Sequence, residues 1–270
     1  MTISTAVAPG SKLRLADIDP NEKGAFEGKS DPSAAIQLET DLASLVRLQD
    51  RLYAEQRRSV LVVLQAMDTA GKDGVLRKVV GPLDSRGVSV ASFKAPNEEE
   101  RAHDYLWRCH AKVPRAGQMV FFNRSHYEDV LVVRIKELVT PAVWKRRFDH
   151  INAFEKLLSD EGTSIIKIYL HISKDEQKRR LEERLADPAR MWKFDPADLE
   201  ARAHWDGYIE AYEEAISRTS TRHAPWHVVP ANRKWFRDVA VARRLVELLE
   251  SIDPQYPAAK DGLRGLVIPD

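Results

Sequence analysis

Val60-Leu-Val-Val-Leu-Gln-Ala-Met-Asp-Thr-Ala-Gly-Lys-Asp-Gly74 is the stretch from which the rest of the chain is read. Residues 60–64 are a short apolar run, the pattern of a buried parallel strand. The run breaks into small residues that carry Asp68, Ala70, Gly71, Lys72, Asp73 and Gly74, and residues 75–80 begin a helix-like pattern. Strand, turn, lysine and helix form the layout of a phosphate-binding loop. Backbone N–H groups and the helix dipole receive phosphate oxygens, and the lysine adds a mobile point charge. The ordinary nucleotide loop has Gly where this chain has Ala66, and Ser or Thr where it has Asp73. A plain strand–turn–helix is the competing reading. The missing hydroxyl ligand suggests that magnesium is held differently, with Asp68 the obvious carboxylate to help hold it.

Outward from this stretch the chain alternates strands and helices. On the amino side, residues 33–59 are helical, with an apolar stripe through Ile36, Leu38, Leu42, Leu45, Leu48, Leu52 and Tyr53. Residues 1–33 are rich in Pro, Gly, Ser and Asp and read as an irregular arm, with Lys12 and Arg14 solvated. On the carboxyl side, strands are expected over 87–93, 118–122, 163–170 and 226–230. The intervening helices are expected over 72–80, 98–112, 129–138, 141–159, 174–186, 198–217 and 236–251. The parallel strands and crossover helices make an α/β architecture. Residues 254–270 read as an irregular tail.

A second polar cluster follows the strand at 118–122. Asn123-Arg-Ser-His-Tyr-Glu-Asp129 gathers charge at the carboxyl end of a buried strand, where open α/β sheets place ligands. Arg124 suits a phosphoryl oxygen, while Glu128 and Asp129 suit either a metal or salt bridges at a helix start. His126 is either a hydrogen-bonded structural residue or a catalytic base. Residues 174–207 carry Arg180, Arg184 and Lys193 on two helices joined by a basic linker. They read as a movable lid that brings cations over a phosphate site, against the plainer reading of a solvated charged face. Trp205, Tyr208 and Tyr212 share one helical face and are expected in the core. After the last strand, Arg233 is a candidate for nucleotide or phosphate contact.

Bulk composition narrows the classes. Hydrophobic residues make up 43% and charged residues 31%, with a net charge of +1, so no global field demands nucleic acid or a membrane. An anionic ligand needs a local basic cleft instead. The single cysteine, Cys109, excludes an intrachain disulfide and a cysteine metal cluster, and is expected to be a buried small residue. No signal segment or membrane-length apolar stretch is visible, and a cytoplasmic location is expected.

Together, Ala66-Met-Asp-Thr-Ala-Gly-Lys-Asp-Gly74 and Phe122-Asn-Arg-Ser-His-Tyr-Glu-Asp129 resemble the two signatures of the polyphosphate kinase 2 family. Arg184-Leu-Ala-Asp-Pro-Ala-Arg-Met-Trp-Lys-Phe194, Trp205-Asp-Gly-Tyr208 and Pro230-Ala-Asn-Arg-Lys-Trp-Phe236 resemble its later segments in the same order. The resemblance implies a P-loop kinase-like three-layer α/β/α sandwich with a five-stranded parallel sheet and a helical lid. It implies a phosphotransferase domain over 34–253, with the lid at about 174–207. The implied activity is reversible transfer of the terminal phosphoryl group of inorganic polyphosphate to a nucleotide, with magnesium, or manganese in its place. Asp68 would help hold the metal, Lys72 would contact the transferred phosphate, and Arg124 would stabilise its charge. Arg180 and Arg184 would act from the lid. Many relatives have Asp-Arg-Ser-Trp-Tyr where this chain has Asn123-Arg-Ser-His-Tyr, so Asp129 or Asp68 would carry more of the metal shell. Glu128-Asp129 and the lead-in resemble the subgroup that takes both AMP and ADP, with ATP as product and guanine nucleotides as further acceptors. A homo-oligomer, up to a tetramer, is also implied. Two other classes are weighed: an ATP-dependent nucleotide or metabolite kinase, and a non-catalytic polyanion-binding module, against which the neutral overall charge argues.

Overall fold

A computed structural model describes residues 4–259 and 266–268. The chain opens on a three-residue strand, β1 (Thr5–Val7), then a 3-10 turn at Leu15–Asp17. Helix α1 (Pro32–Glu55) starts where Asp31 accepts from the Ser33 N–H and Pro32 takes the first helical position. Strand β2 (Ser59–Ala66) is buried in every residue, which accounts for its unbroken apolar run. Next comes the single turn α2 (Lys72–Val75), which runs on as a π-helical turn over Leu76–Val80 and stops before Pro82. Strand β3 (Val88–Ser92) leads to α3 (Glu98–Ala102), closed by a reciprocal cap between Asn97 and Glu100, and to α4 (Trp107–His110). Strand β4 (Met119–Asn123), a 3-10 turn at His126–Asp129, α5 (Val132–Ile135), α6 (Pro141–Asp160) and β5 (Thr163–His171) follow. Then come α7 (Lys174–Ala186), α8 (Pro188–Met191), α9 (Pro196–Ala203) and α10 (Trp205–Thr219), and finally β6 (Trp226–Pro230) and α11 (Lys234–Ile252).

The sheet is six-stranded and mixed, in the order β1-β6-β5-β2-β4-β3. The five expected strands are present and mutually parallel, but β1 adds an antiparallel edge to β6. The expected purely parallel five-stranded sheet is therefore corrected. Three residues are too few to display an alternation, so the strand is invisible in sequence. Its place is fixed by tertiary contacts, including the Ser220 hydroxyl, which donates to Val7 O at 2.6 Å. The rest of the arm is also packed. Leu13, Leu15 and Phe26 are buried, and Phe26 meets Trp235 and Phe236 edge-on.

Four helices are shortened, broken or altered relative to their periodicity. The stretch 98–112 breaks between Ala102 and Trp107, 129–138 retains only Val132–Ile135, 198–217 is interrupted at His204, and 72–80 changes to π geometry. On α1, Ile36 is exposed while the polar Asp41 and Gln49 are buried, so the stripe is rotated from the apolar count. Leu157 of α6 is likewise exposed. Trp205, Tyr208, Tyr212 and Cys109 are buried as expected. Burial pushes the Cys109 thiol up to about 12, so it stays protonated. Residues 254–259 and 266–268 form neither helix nor strand, and the rest of the expected tail lies outside the described residues.

Beside the sheet lies a fully buried charged network. Lys167 Nζ donates to Glu155 Oε2 at 2.5 Å, to Tyr127 Oη at 2.9 Å and to Thr219 O at 2.7 Å. His126, completely buried, meets Glu155 Oε1 at 3.1 Å. Of its two expected roles, His126 takes the structural one.

Candidate functional site

The carboxyl ends of β2 and β4 lie side by side, so the two polar stretches that follow them converge. Strand register pairs Leu64 with Asn123, placing Arg124 beside the start of the loop. In the loop the backbone turns left-handed at Thr69 (φ 66°) and again at Gly71 (φ 110°). For a β-branched residue that conformation costs on the order of 1–3 kcal/mol. The Thr69 hydroxyl is buried and has no partner among the described residues. A strained turn with an orphaned hydroxyl is a ready seat for an incoming oxyanion.

Lys72 opens α2 and is nearly buried; its Nζ donates to Ala66 O at 3.1 Å. Burial lowers its pKa, Arg124 lowers it further, and Asp68 and Glu128 partly compensate. A desolvated ammonium without a direct carboxylate gains much from a bound phosphate. Arg124, itself left-handed at φ 63°, bonds Asp68 Oδ1 through Nη2 at 2.5 Å and Glu128 Oε2 through Nη1 at 3.4 Å. Asn123 Nδ2 donates to Asp73 Oδ1 at 3.2 Å, tying the two signatures together again.

Asp68, Thr69, Lys72, Asp73, Asn123 and Arg124 line a cleft of about 620 Å³. Its walls carry Lys72, Lys94, Arg124, Arg184 and Lys193 against the carboxylates Asp68, Asp73 and Asp198. The excess of cations supplies the local basic cleft that the neutral overall charge requires. Arg184 is held at the cleft edge by Lys193 O at 3.0 Å and Asp198 Oδ2 at 3.1 Å. Burial, then the nearby Asp68 charge, pushes the Asp198 carboxyl up to about 6. A second groove of about 530 Å³ shares Thr69, Arg184, Trp192 and Lys193 with the cleft, and adds Arg77, Arg180, Arg190 and Lys234 against the carboxylate of Glu183. Another hollow, of about 460 Å³, opens at the amino ends of β5 and β6, away from the loop.

Several candidates sit elsewhere. Arg180 is buried beneath the loop, donating to Thr69 O, Ala70 O, Ala231 O and Asn232 O at 2.6–3.0 Å and pairing with Glu176. Its guanidinium shapes the loop from behind. Arg233 is exposed and gives its Nε to Asn21 O at 2.9 Å, on the arm. Asp129 faces Arg147 at 3.3 Å and Arg108 at 3.6 Å and does not line the cleft. Glu128 borders a small hollow under Tyr208 and Tyr212.

Lys94, Trp192 and Asp198 line the cleft without having been singled out in the sequence. Lys94 had a visible signal, since it follows β3 closely as Arg124 follows β4. Trp192 lies within the segment 184–194 that resembles a family motif, but for neither it nor Asp198 do charge and aromatic content alone say which way a helical segment folds. Among the described residues no three metal-ligating side chains cluster.

Comparison with known proteins gives a consistent picture. A model of the family Polyphosphate kinase 2 (PPK2) matches residues 29–257. The AMP/ADP-polyphosphate phosphotransferase of Meiothermus ruber is 52% identical over 263 residues, covering 97% of this chain and 98% of that protein. The ADP-polyphosphate phosphotransferase of Rhodopseudomonas palustris is 42% identical over 264 residues, covering 91% of each. The crystal structure of polyphosphate kinase 2 from Arthrobacter aurescens TC1 superposes with a TM-score of 0.91 at 44% identity, over 96% of this chain and 92% of that one.

Proposed function

Because the chain belongs to the polyphosphate kinase 2 family, we propose that its cleft is where a polyphosphate end and a nucleotide are brought into line. The protein is a polyphosphate:nucleotide phosphotransferase, and AMP and ADP are its acceptors. The carrying observation is the convergence of Lys72, Arg124 and Asp68 at one strained, cation-rich loop. The fold serves as a P-loop kinase-like sandwich in which residues 174–207 form the lid. The arm and the tail flank a single phosphotransferase domain.

An oxygen of the nucleotide's terminal phosphate attacks the end phosphorus of polyphosphate. A new P–O bond forms as the old bridging P–O bond breaks, and the chain leaves one phosphate shorter. The acceptor oxygen is ionised near neutral pH, so no general base is required. Lys72 and the loop N–H groups hold the transferring group, and Arg124 stabilises its spreading charge. Arg184 and Lys193 cover it when the lid is down and exclude water. The second groove, with Arg77, Arg190 and Lys234, suits the polyanionic donor.

Family members work with a divalent cation. The hard oxygen donors Asp68 and Asp73 on the cleft wall fit magnesium, or manganese, whereas Asp129 is engaged by arginines away from it. Bound there, the ion would neutralise phosphate charge. Guanine nucleotides as further acceptors, a homo-oligomer up to a tetramer, and a cytoplasmic location complete the proposal. No helix among the described residues is long and apolar enough to cross a membrane.

The deciding assay supplies AMP, ADP, GMP or GDP separately, with magnesium and polyphosphate and without ATP. ADP and ATP should form from the adenine acceptors. Absence of any nucleotide product would overturn the proposal and favour an ATP-dependent kinase.

A further inference from the structure

The glycines of the loop are usually explained by the phosphate they approach. Here something else occupies the space beside two of them. A Cβ built on Gly71 would lie 1.9 Å from Arg237 Nη1, and one on Gly74 would lie 2.7 Å from Arg237 Nη2 and 3.2 Å from its Cζ. Arg237 stands in the first turns of α11 and is 4% exposed. Its Nε and Nη2 both donate to Asp238 Oδ1, at 2.9 and 2.6 Å. The guanidinium is thus held by its neighbour and sits beside both glycines of the loop.

We infer that Arg237, oriented by Asp238, is a positioning residue for phosphoryl transfer. It is a rigid wedge from α11 that sets the height of the loop and therefore the placement of Lys72. The inference rests on the phosphotransferase reading of the same cleft. Gly74 discriminates between explanations. Its φ is not left-handed, so alanine there suits the helix backbone and ordinarily stabilises it. The three nearest atoms a Cβ would meet all belong to the Arg237 guanidinium, at 2.7–3.2 Å. Gly71 is different, since its positive φ demands glycine whatever lies beside it.

The test is a double-mutant cycle on the full chain: wild type, G74A, R237A and G74A/R237A, assayed with ADP, magnesium and polyphosphate. G74A should lower kcat roughly 30- to 100-fold with KM for ADP within about threefold, because the loop is displaced while the nucleotide surface is kept. R237A should lower kcat by a similar factor. The double variant should be no worse than R237A within about threefold, since removing the wedge makes room for the alanine methyl group. R237K, which retains charge but not the flat fork, should recover less than a tenth of wild-type kcat.

Losses that multiply across the cycle would overturn the inference. So would a G74A enzyme with wild-type kcat, an outcome that does not depend on any Arg237 variant folding. Wild-type turnover in the same assay separates these failures from failure of the phosphotransferase reading.

Discussion

Arg124, at the end of β4, grips Asp68, at the end of β2, at 2.5 Å across the strand pair that carries both signatures. The contact joins the residue proposed to meet phosphoryl charge to the residue proposed to help hold the metal. Each is only partly buried, so the pair can exchange partners when a phosphate arrives. Asp68→Asn removes the charge and keeps the shape. We expect kcat/KM to fall roughly 100- to 1000-fold, with the melting temperature unchanged and the magnesium requirement shifted upward. Steady-state kinetics across a magnesium titration check this. A variant with an unshifted requirement would show that Asp68 orients Arg124 without serving the ion.

Arg180 and Arg184 share one helix four residues apart, yet should fail in different ways. Arg180 satisfies four backbone carbonyls under the loop, whereas Arg184 sits at the cleft edge. Arg180→Met leaves those four buried carbonyls without their donor, while Glu176 keeps Arg179 at 2.6 Å, and the loss should cost roughly 3–5 kcal/mol. For a chain of this size the melting temperature should drop by about 10 °C. Arg184→Met should leave melting within about 2 °C and lower kcat at least tenfold. Thermal unfolding and kinetics on both variants test the contrast. Equal melting temperatures would show that Arg180 is not a structural support of the loop.

The strand–loop–helix core was legible because it obeys local rules. Strands β2, β4 and β5 are buried on both faces, so their apolar runs are continuous. The loop carries its glycines and lysine in a fixed order. Tertiary choices were not legible. Arg233 and Arg237 both follow the last strand, and only the direction of α11 decides that Arg237 reaches the loop. Asp129 looks as suitable a ligand as Asp68, until Arg108 and Arg147, more than fifteen residues away on either side, fold onto it. Strand β1 has too few residues for periodicity, and the edge it fills exists only once β6 has joined the sheet.

Lys167 and Glu155 are both 0% exposed and 2.5 Å apart. A lysine within the run Ile-Ile-Lys-Ile-Tyr-Leu of β5 can be buried only with its charge compensated. Glu155→Gln should destabilise the fold by roughly 3–5 kcal/mol, and Lys167→Met by a similar amount. The double variant Glu155→Gln with Lys167→Met should recover most of that loss, because neither charge is then stranded. Urea denaturation of the four proteins measures the coupling. Simple addition of the two losses would show that the pair is not the unit of stability.

His227 gives the fold an acid-sensitive point remote from the cleft. It lies on β6, 8% exposed, beside the amino-end hollow. Burial, then the nearby Arg244 charge, lowers its pKa from 6.5 to about 4. The sign follows from linkage: between about 6.5 and 4 the unfolded chain binds a proton that the folded chain refuses. This contribution is fully present above 6.5 and is lost as pH falls toward 4. The shift corresponds to roughly 3 kcal/mol. His227→Phe keeps a ring in the strand and removes the titration. Unfolding free energies measured from pH 7 to pH 4 should therefore fall less steeply for the variant than for the wild type. Parallel pH profiles would show that acid sensitivity resides in the carboxylate pairs instead.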